Sequence, residues 1–356
     1  MLDPALSQWL DEHAQALDLG QCDPQGVLSQ LAAAGVLRVG VDEAAGGSGG
    51  NVTDAIETLA RVASHSLAAA FVFWGQRAFI EYLLHSPNTA LRERLLPNLL
   101  SGELAGATGL SNAMKFLSGI ESLQVRAQAQ ADGWQLDGRL HWVTNLRKSG
   151  FVVAAAIEDE EGGAPFVLAI PDNLAGLRRS EDLQLMGLQS SNTAAIDLCQ
   201  VNVGSEWLLH ADAKRFLPAV RPAFLGLQCG MAIGLSRRAL SEVEQHLQDG
   251  RSILREPLVE QRQVLEQAVE ALKCGLLEGR FLARPADLFQ IRISLAEVAA
   301  QAVQLELQAS GGKAYLSEFG SGFARRWRES AFVPIVTPSL VQLRTELQRQ
   351  AREAVA

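Results

Sequence analysis

Cysteine is scarce in this chain: Cys22, Cys199, Cys229 and Cys274 lie far apart and form no CxxC pair. A chain of this length with so few thiols is not built on a disulfide framework, and a reducing compartment fits it best. A basic excess is also missing, since 31 Lys and Arg face 40 Asp and Glu, giving a formal charge of −9. Proteins that hold nucleic acid draw most non-specific affinity from neutralised phosphates. That role is therefore argued against, and any anionic ligand must be held by local donors. Long apolar runs are lacking as well. The most membrane-like stretch, Ala223 to Ser236, is shorter than the ~20 residues of a span and is interrupted by Gln228. The N-terminus has acids where a secretion signal needs bases. These absences predict a soluble, cytoplasmic protein with no membrane span and no nucleic-acid partner.

What is present is enough apolar residue for a real core, 48% of 356 residues. The first hundred residues read as helices. Leu28, Leu31 and Ala32 recur at helical spacing before Gly35, Asp54 caps an apolar-periodic stretch, and Leu91–Leu100 is a short helix broken by Pro97. Alternation then takes over, with Leu123, Val125, Ala127 and Ala129 on one face of a half-buried strand. Asp132-Gly133 and Asp137-Gly138 are turn dipeptides that bracket a short strand at Trp134–Leu136. Phe151–Ile157 and Phe166–Ile170 are further strands, and a slipped parity near Cys199-Gln200 predicts a β-bulge. Helical spacing returns after residue 210. Gly226, Gly230 and Gly234 fall on one helix face and invite a close neighbour, and long helices follow at about Leu258–Ala283 and Asp287–Gln308. The reading is mainly α with a central antiparallel β-domain: a helical domain over 1–101, a β-domain over 102–206 and a helical domain over 207–356.

Common catalytic patterns are missing. The Gly46–Gly50 loop lacks the Gly-Lys-Ser/Thr of a Walker loop and follows no strand, so it reads as a flexible turn. The histidines form no metal-ligand cluster, and no Gly-x-Ser-x-Gly appears. What remains is an ordered set of modest signals. DGWQLDGRLHWVTN runs from Asp132 to Asn145, RPAFLGLQCGMAIGLSRRAL lies on a long helix, and SGGKAYL, RRWRES and PIVTPS follow.

In this order the segments resemble the acyl-CoA dehydrogenase family across essentially the whole chain. The resemblance implies an N-terminal helical domain, a β-barrel-like middle domain and a C-terminal four-helix bundle. It also implies FAD as cofactor and an acyl thioester, carried by CoA or an acyl carrier protein, as substrate. A homodimer or homotetramer follows, because cofactor contacts in the family cross a subunit boundary. Carried over by position, Trp142 would lie beside the flavin ring and Thr144 would hydrogen-bond near its N5. Ser111 would meet the pyrimidine edge and Ser118 the pyrophosphate, while Ser339 closes the segment. Arg251, with Gln308, Gly311 and Gly312, would serve a neighbouring subunit's FAD.

The departures bear on mechanism. Relatives remove a proton with a glutamate in a Tyr-Glu-Gly-Thr segment, and the matching residue here is Thr337. Others place it just before an Arg-Pro pair, where this chain has Val220 followed by Arg221. A threonine hydroxyl ionises far too high to act as base near neutrality. Glu329 is the acid nearest to Thr337 in sequence, although its Arg-Glu pairing resembles a structural ion pair of the family. Arg325, Arg326 and Arg328 are candidates for a local patch that receives an anionic thioester or an acidic carrier. Three readings therefore stand: a divergent FAD-dependent dehydrogenase acting on a CH–CH group, a flavin monooxygenase of the same fold, and a catalytically silent relative that binds an acyl or pantetheine group.

Overall fold

The structure, a computed structural model, describes residues 2–117, 119, 121–247 and 251–353. Ser118 lies outside the described residues. Five helices come first: α1 (Pro4–Leu19), α2 (Gln25–Ala33), α3 (Val52–His65), α4 (Leu67–His85) and α5 (Thr89–Leu100). Asn51, not Asp54, caps α3. Asp54 stands three residues in and accepts the Asn51 N–H at 2.8 Å while Asn51 accepts from the first turn, a reciprocal pair that satisfies two orphan donors. Pro97 does not break α5, because Leu95, Leu96, Leu99 and Leu100 are buried on both sides of it and packing outweighs the lost backbone bond. The Gly46–Gly50 loop is closed rather than loose. Gly49 N–H donates to the Val41 carbonyl at 2.8 Å and Gly40 N–H to that of Gly49 at 2.9 Å.

The chain then enters a sheet of β1 (Ala105–Thr108), β2 (Val125–Gln130), β3 (Gly133–Val143), β4 (Phe151–Asp159), β5 (Phe166–Pro171), β6 (Leu177–Arg179), β7 (Ala194–Gly204) and β8 (Leu208–His210), with the short α6 (Ser111–Leu117) after β1. The order is β6-β7-β3-β2-β4-β5-β8, with β1 also on β4. The sheet is mixed, not purely antiparallel, since β4 pairs in parallel with both β1 and β2. β1 and β2 reach it from the same side of the sequence with α6 between them, so neither pairing is a hairpin.

Asp132-Gly133 does turn the chain from β2 into β3, but Asp137-Gly138 does not: β3 runs straight through it. Opposite, Cys199 and Gln200 bulge from β7, and the Asp137 carboxylate accepts the Gln200 N–H at 3.0 Å. A dipeptide suited to a turn here serves a bulge on its partner strand. A second register shift falls in β3 between Leu140 and Val143 and leaves Trp142 at φ 58°.

The remaining helices are α7 (Ala213–Gln245), α8 (Arg255–Leu277), α9 (Arg280–Ala283), α10 (Pro285–Ser310), α11 (Ser321–Phe332) and α12 (Leu340–Glu353). The long helix expected to reach Ala283 stops at Leu277 and restarts beyond Gly279. α4 and α7 are long and apolar enough to cross a membrane by length and composition, α7 at 33 residues exceeding the run seen in sequence. Their apolar windows are 94% and 78% buried, so they are the core helices of this fold.

The glycine face of α7 lies against α3. A Cβ on Gly234 would stand 2.0 Å from the Ala60 carbonyl oxygen, whereas one on Gly226 would meet the Ile56 Cδ1 at 2.9 Å. Gly234→Ala is expected to cost about 1–3 kcal/mol, because backbone must move. Gly226→Ala should stay near neutral, since a side-chain tip can yield and the helix gains propensity. Urea denaturation of the two variants measures the difference.

Candidate active site

The bulge in β3 is where the site begins. It turns the Trp142 side chain out of the sheet and leaves it 65% exposed beside a cavity of about 380 Å³. Bulges re-aim side chains in this way, and a bulky residue at positive φ is held there by its surroundings. Two residues on, Thr144 is buried and lines the same cavity; its hydroxyl pairs with that of Thr193 at 3.2 Å, which in turn meets Ser191 at 2.8 Å. Asn145 anchors this strand end. Its amide donates to the Gln76 side chain at 2.8 Å and the Gly106 carbonyl at 2.9 Å, tying it to α4 and β1.

The opposite wall comes from the segment after α11. Phe332, Ile335, Val336 and Thr337 line the cavity, facing Phe71 and Trp74 of α4. That segment is held from behind by two buried side chains. Gln228 of α7 donates to the Thr337 carbonyl at 2.8 Å, and Arg292 of α10 donates to the Val333 carbonyl at 2.8 Å. Burial holds the Arg292 guanidinium below its usual basicity, and burial likewise pushes the neighbouring Cys229 thiol up to about 12. Ser111 and Lys115 of α6, the loop Leu185–Leu188, Thr193, and Arg328 and Ala331 of α11 complete the lining.

The structure thus gathers Ser111, Trp142, Thr144, Thr337 and Arg328 into one cavity, and leaves Val220, Arg221, Arg251, Gln308, Gly311, Gly312 and Ser339 out of its lining. Val220 is fully buried in α7 and does not line the cavity. Arg221 opens onto a separate crevice with Lys115, Pro338 and Glu346 and lies over the Phe289 ring; burial draws its basicity down, against the pull of Glu346. Ser339 caps the start of α12, exchanging hydrogen bonds with Gln342. Arg251 and Gly311 meet elsewhere, since a Cβ on Gly311 would stand 3.3 Å from an Arg251 nitrogen. Gly311 has φ 62° and ψ −150°, a conformation open essentially to glycine alone. Gln308 and Gly312 lie beside that corner in sequence and are exposed.

The arginine run is not an exposed patch. Arg325 pairs with Glu329 at 2.7 Å, Arg326 donates to Glu306 at 2.9 Å, and Arg328 donates to Asp18 at 2.8 Å. At helical spacing these side chains turn inward, where buried acids take them up. Glu329 is no candidate base by position: one carboxylate oxygen accepts both Arg325 and the Leu67 N–H, the latter at 3.0 Å, and it does not reach the cavity lining. Among the described residues, the lining contains no carboxylate and no imidazole. Sequence patterns did not single out Asp18, Lys115 or the Leu185–Leu188 loop. An aspartate in the apolar surroundings Ala16, Leu17 and Leu19 was the available signal for Asp18.

Comparisons with known proteins agree with this arrangement. Residues 5–103 match the family description "Acyl-CoA dehydrogenase, N-terminal domain". A probable acyl-CoA dehydrogenase, fadE25 of Mycobacterium leprae, is 27% identical over 331 residues, covering 86% of this chain and 82% of its own. A structure of butyryl-CoA dehydrogenase from Megasphaera elsdenii superposes with a TM-score of 0.80 at 18% identity, covering 98% of this chain and 95% of that one. A structure of FkbI, described as serving biosynthesis of a methoxymalonyl extender unit, gives a TM-score of 0.83 at 19% identity, with 99% of each chain covered. Helices, mixed sheet and helices recur in the same order, and the N-terminal match and the named relative both liken this chain to acyl-CoA dehydrogenases.

Proposed function

We propose that this protein is a flavin-dependent oxidoreductase that binds FAD and acts on the CH–CH group of an acyl thioester carried by CoA or a carrier protein. The observation that carries the reading is the single cavity into which Trp142 and Thr144, Ser111, and Thr337 converge from three separate segments. The residues suit a planar redox ring. Trp142 offers an exposed aromatic face, and each threonine or serine hydroxyl can donate one proton while accepting others. Thr144 can therefore accept from Thr193 and still donate into the cavity. The apolar walls from Phe71, Trp74 and Phe332 exclude water around an acyl chain. When bound, the flavin supplies hydride acceptance, and the chain's own part is to hold and orient both partners.

The Arg251–Gly311 corner stands apart from this cavity, which is what a role toward a neighbouring copy's FAD requires, so the reading includes a dimer or dimer of dimers. The reading also keeps a soluble protein of the cytoplasm and the domain limits 1–101, 102–206 and 207–356. Ser118 and Ser339 remain proposals toward the pyrophosphate and the end of the cofactor segment.

A second reading, a flavin monooxygenase of the same fold, is favoured by one specific fact: among the described residues the lining includes no acid or imidazole, and oxygen chemistry on reduced flavin needs no α-proton abstraction. The tests are direct. FAD is expected to raise the melting temperature by several degrees, as ligand binding to the folded state alone must. Trp142→Ala should weaken FAD at least tenfold while leaving the unliganded melting temperature close to that of the native chain. Anaerobic mixing with acyl-CoA thioesters should then bleach the flavin. Protein that neither binds FAD nor shifts its melting would overturn both flavin readings in favour of a silent binding relative.

A further inference from the structure

We propose that Asp18 is a positioning residue that sets the shape of the cavity from outside it. Asp18 lies in the last turn of α1 with its side chain fully buried, and it joins three parts of the molecule. One oxygen takes Arg328 of α11, whose Nε lies at 2.8 Å and whose Nη2 lies at 2.6 Å. The other accepts the Leu188 N–H at 2.8 Å. Both partners line the cavity, although Asp18 does not. The carboxylate thus ties the N-terminal helix, the Leu185–Leu188 wall and the Arg328 side chain to one point.

The wall has features that need such a tie. Leu188 is a bulky residue at φ 56°, a conformation that persists only where surroundings impose it. Gly187 sits directly on the pair: a Cβ there would stand 2.8 Å from the Asp18 carboxylate and 3.2 Å from Arg328 Cβ. Met186, next to it, is exposed at the cavity rim. The loop also braces itself, since Gln189 accepts the Leu185 N–H and donates to the Leu183 carbonyl, each at 2.7 Å. These bonds are internal to the loop and do not place it against the body. Asp18 does. A buried carboxylate that accepts the arginine Nε–H on one oxygen and a backbone amide on the other is a strong, directional link. Removing it frees the wall and leaves Arg328 facing the cavity with an uncompensated charge.

The consequence for ligands rests on the flavin and thioester reading of the cavity; the mechanical part does not. Hydrogen–deuterium exchange on the unliganded full chain is read for residues 183–193, with FAD affinity measured alongside. Asp18→Ala should speed exchange in that loop at least tenfold, leave the middle of α10 protected as before, and weaken FAD about tenfold. Asp18→Asn, which keeps an acceptor for Leu188, should fall between. The double variant Asp18→Ala with Arg328→Met carries no unpaired charge, so it should recover melting temperature yet keep the fast loop. Unchanged protection of 183–193 in folded Asp18→Ala or in the double variant overturns the proposal, as does equal loosening of α3 and α10. If wild-type protein takes up no FAD, the flavin reading falls and the exchange measurement still decides this one.

Discussion

Exchanging Thr337 for glutamate is expected to raise the rate of thioester-driven flavin bleaching by about 10²–10⁴, the usual yield of a positioned general base. Thr337 lines the cavity, and its backbone is fixed by the Gln228 amide at 2.8 Å, so a longer acidic side chain has both a place and a direction. The apolar lining from Trp74, Phe332 and Val336 would raise its pKa toward the working range of a base. Stopped-flow mixing under anaerobic conditions with a short-chain acyl-CoA measures the gain. FAD-loaded Thr337→Glu that bleaches no faster than the native chain would remove Thr337 from the position assigned to it. The alternative position makes a contrasting control. Val220 is fully buried in α7, so Val220→Glu should bury an unpaired carboxylate and destabilise the protein instead of activating it.

Glu329→Gln is expected to cost about 3–5 kcal/mol of stability, because it strips the partner from a buried cation. Arg325 meets Glu329 at 2.7 Å with side-chain exposures of 8% and 1%, and the same carboxylate oxygen holds the first amide of α4. Glutamine keeps an acceptor oxygen but has no charge to balance the buried Arg325 guanidinium. Equilibrium denaturation measures the loss. The outcome also separates two meanings of the residue. A catalytic Glu329 would give a stable, FAD-binding, inactive variant, whereas an ion-pair Glu329 gives an unstable one whose remaining folded fraction keeps native affinity for FAD. A variant of native stability would contradict the ion-pair assignment.

Several features were legible in sequence because they depend on near neighbours along the chain. The glycine spacing of α7 follows from helical geometry alone, and the structure sets Gly234 against the Ala60 carbonyl. The slipped parity at Cys199-Gln200 is a bulge for the same reason: strand faces alternate strictly, so an extra residue shows. Other features could not be read that way. Pro97 ends a helix on propensity, yet buried leucines on both sides carry α5 across it. Asp137-Gly138 suits a turn, but its neighbour β7 decides that it lies in a strand. The arginines 325, 326 and 328 read as an available patch until Glu329, Glu306 and Asp18, distant or hidden in sequence, claim them.

The candidate site divides along the same line. A family resemblance carried by ordered segments singled out Trp142, Thr144, Ser111 and Thr337 and attached roles to them. Only the folded chain shows that these four share a cavity while Val220 and the Arg251–Gly311 corner do not. Only the folded chain turns Trp142 outward, because the bulge that does so is a register mismatch between two strands. By itself the sequence determined the helix–sheet–helix order and the helical glycine face. The tertiary structure decided which charges are spent on burial and which walls the cavity has. Local spacing specifies elements, whereas pairing of charges and closure of a pocket depend on residues hundreds of positions apart, such as Asp18 and Arg328.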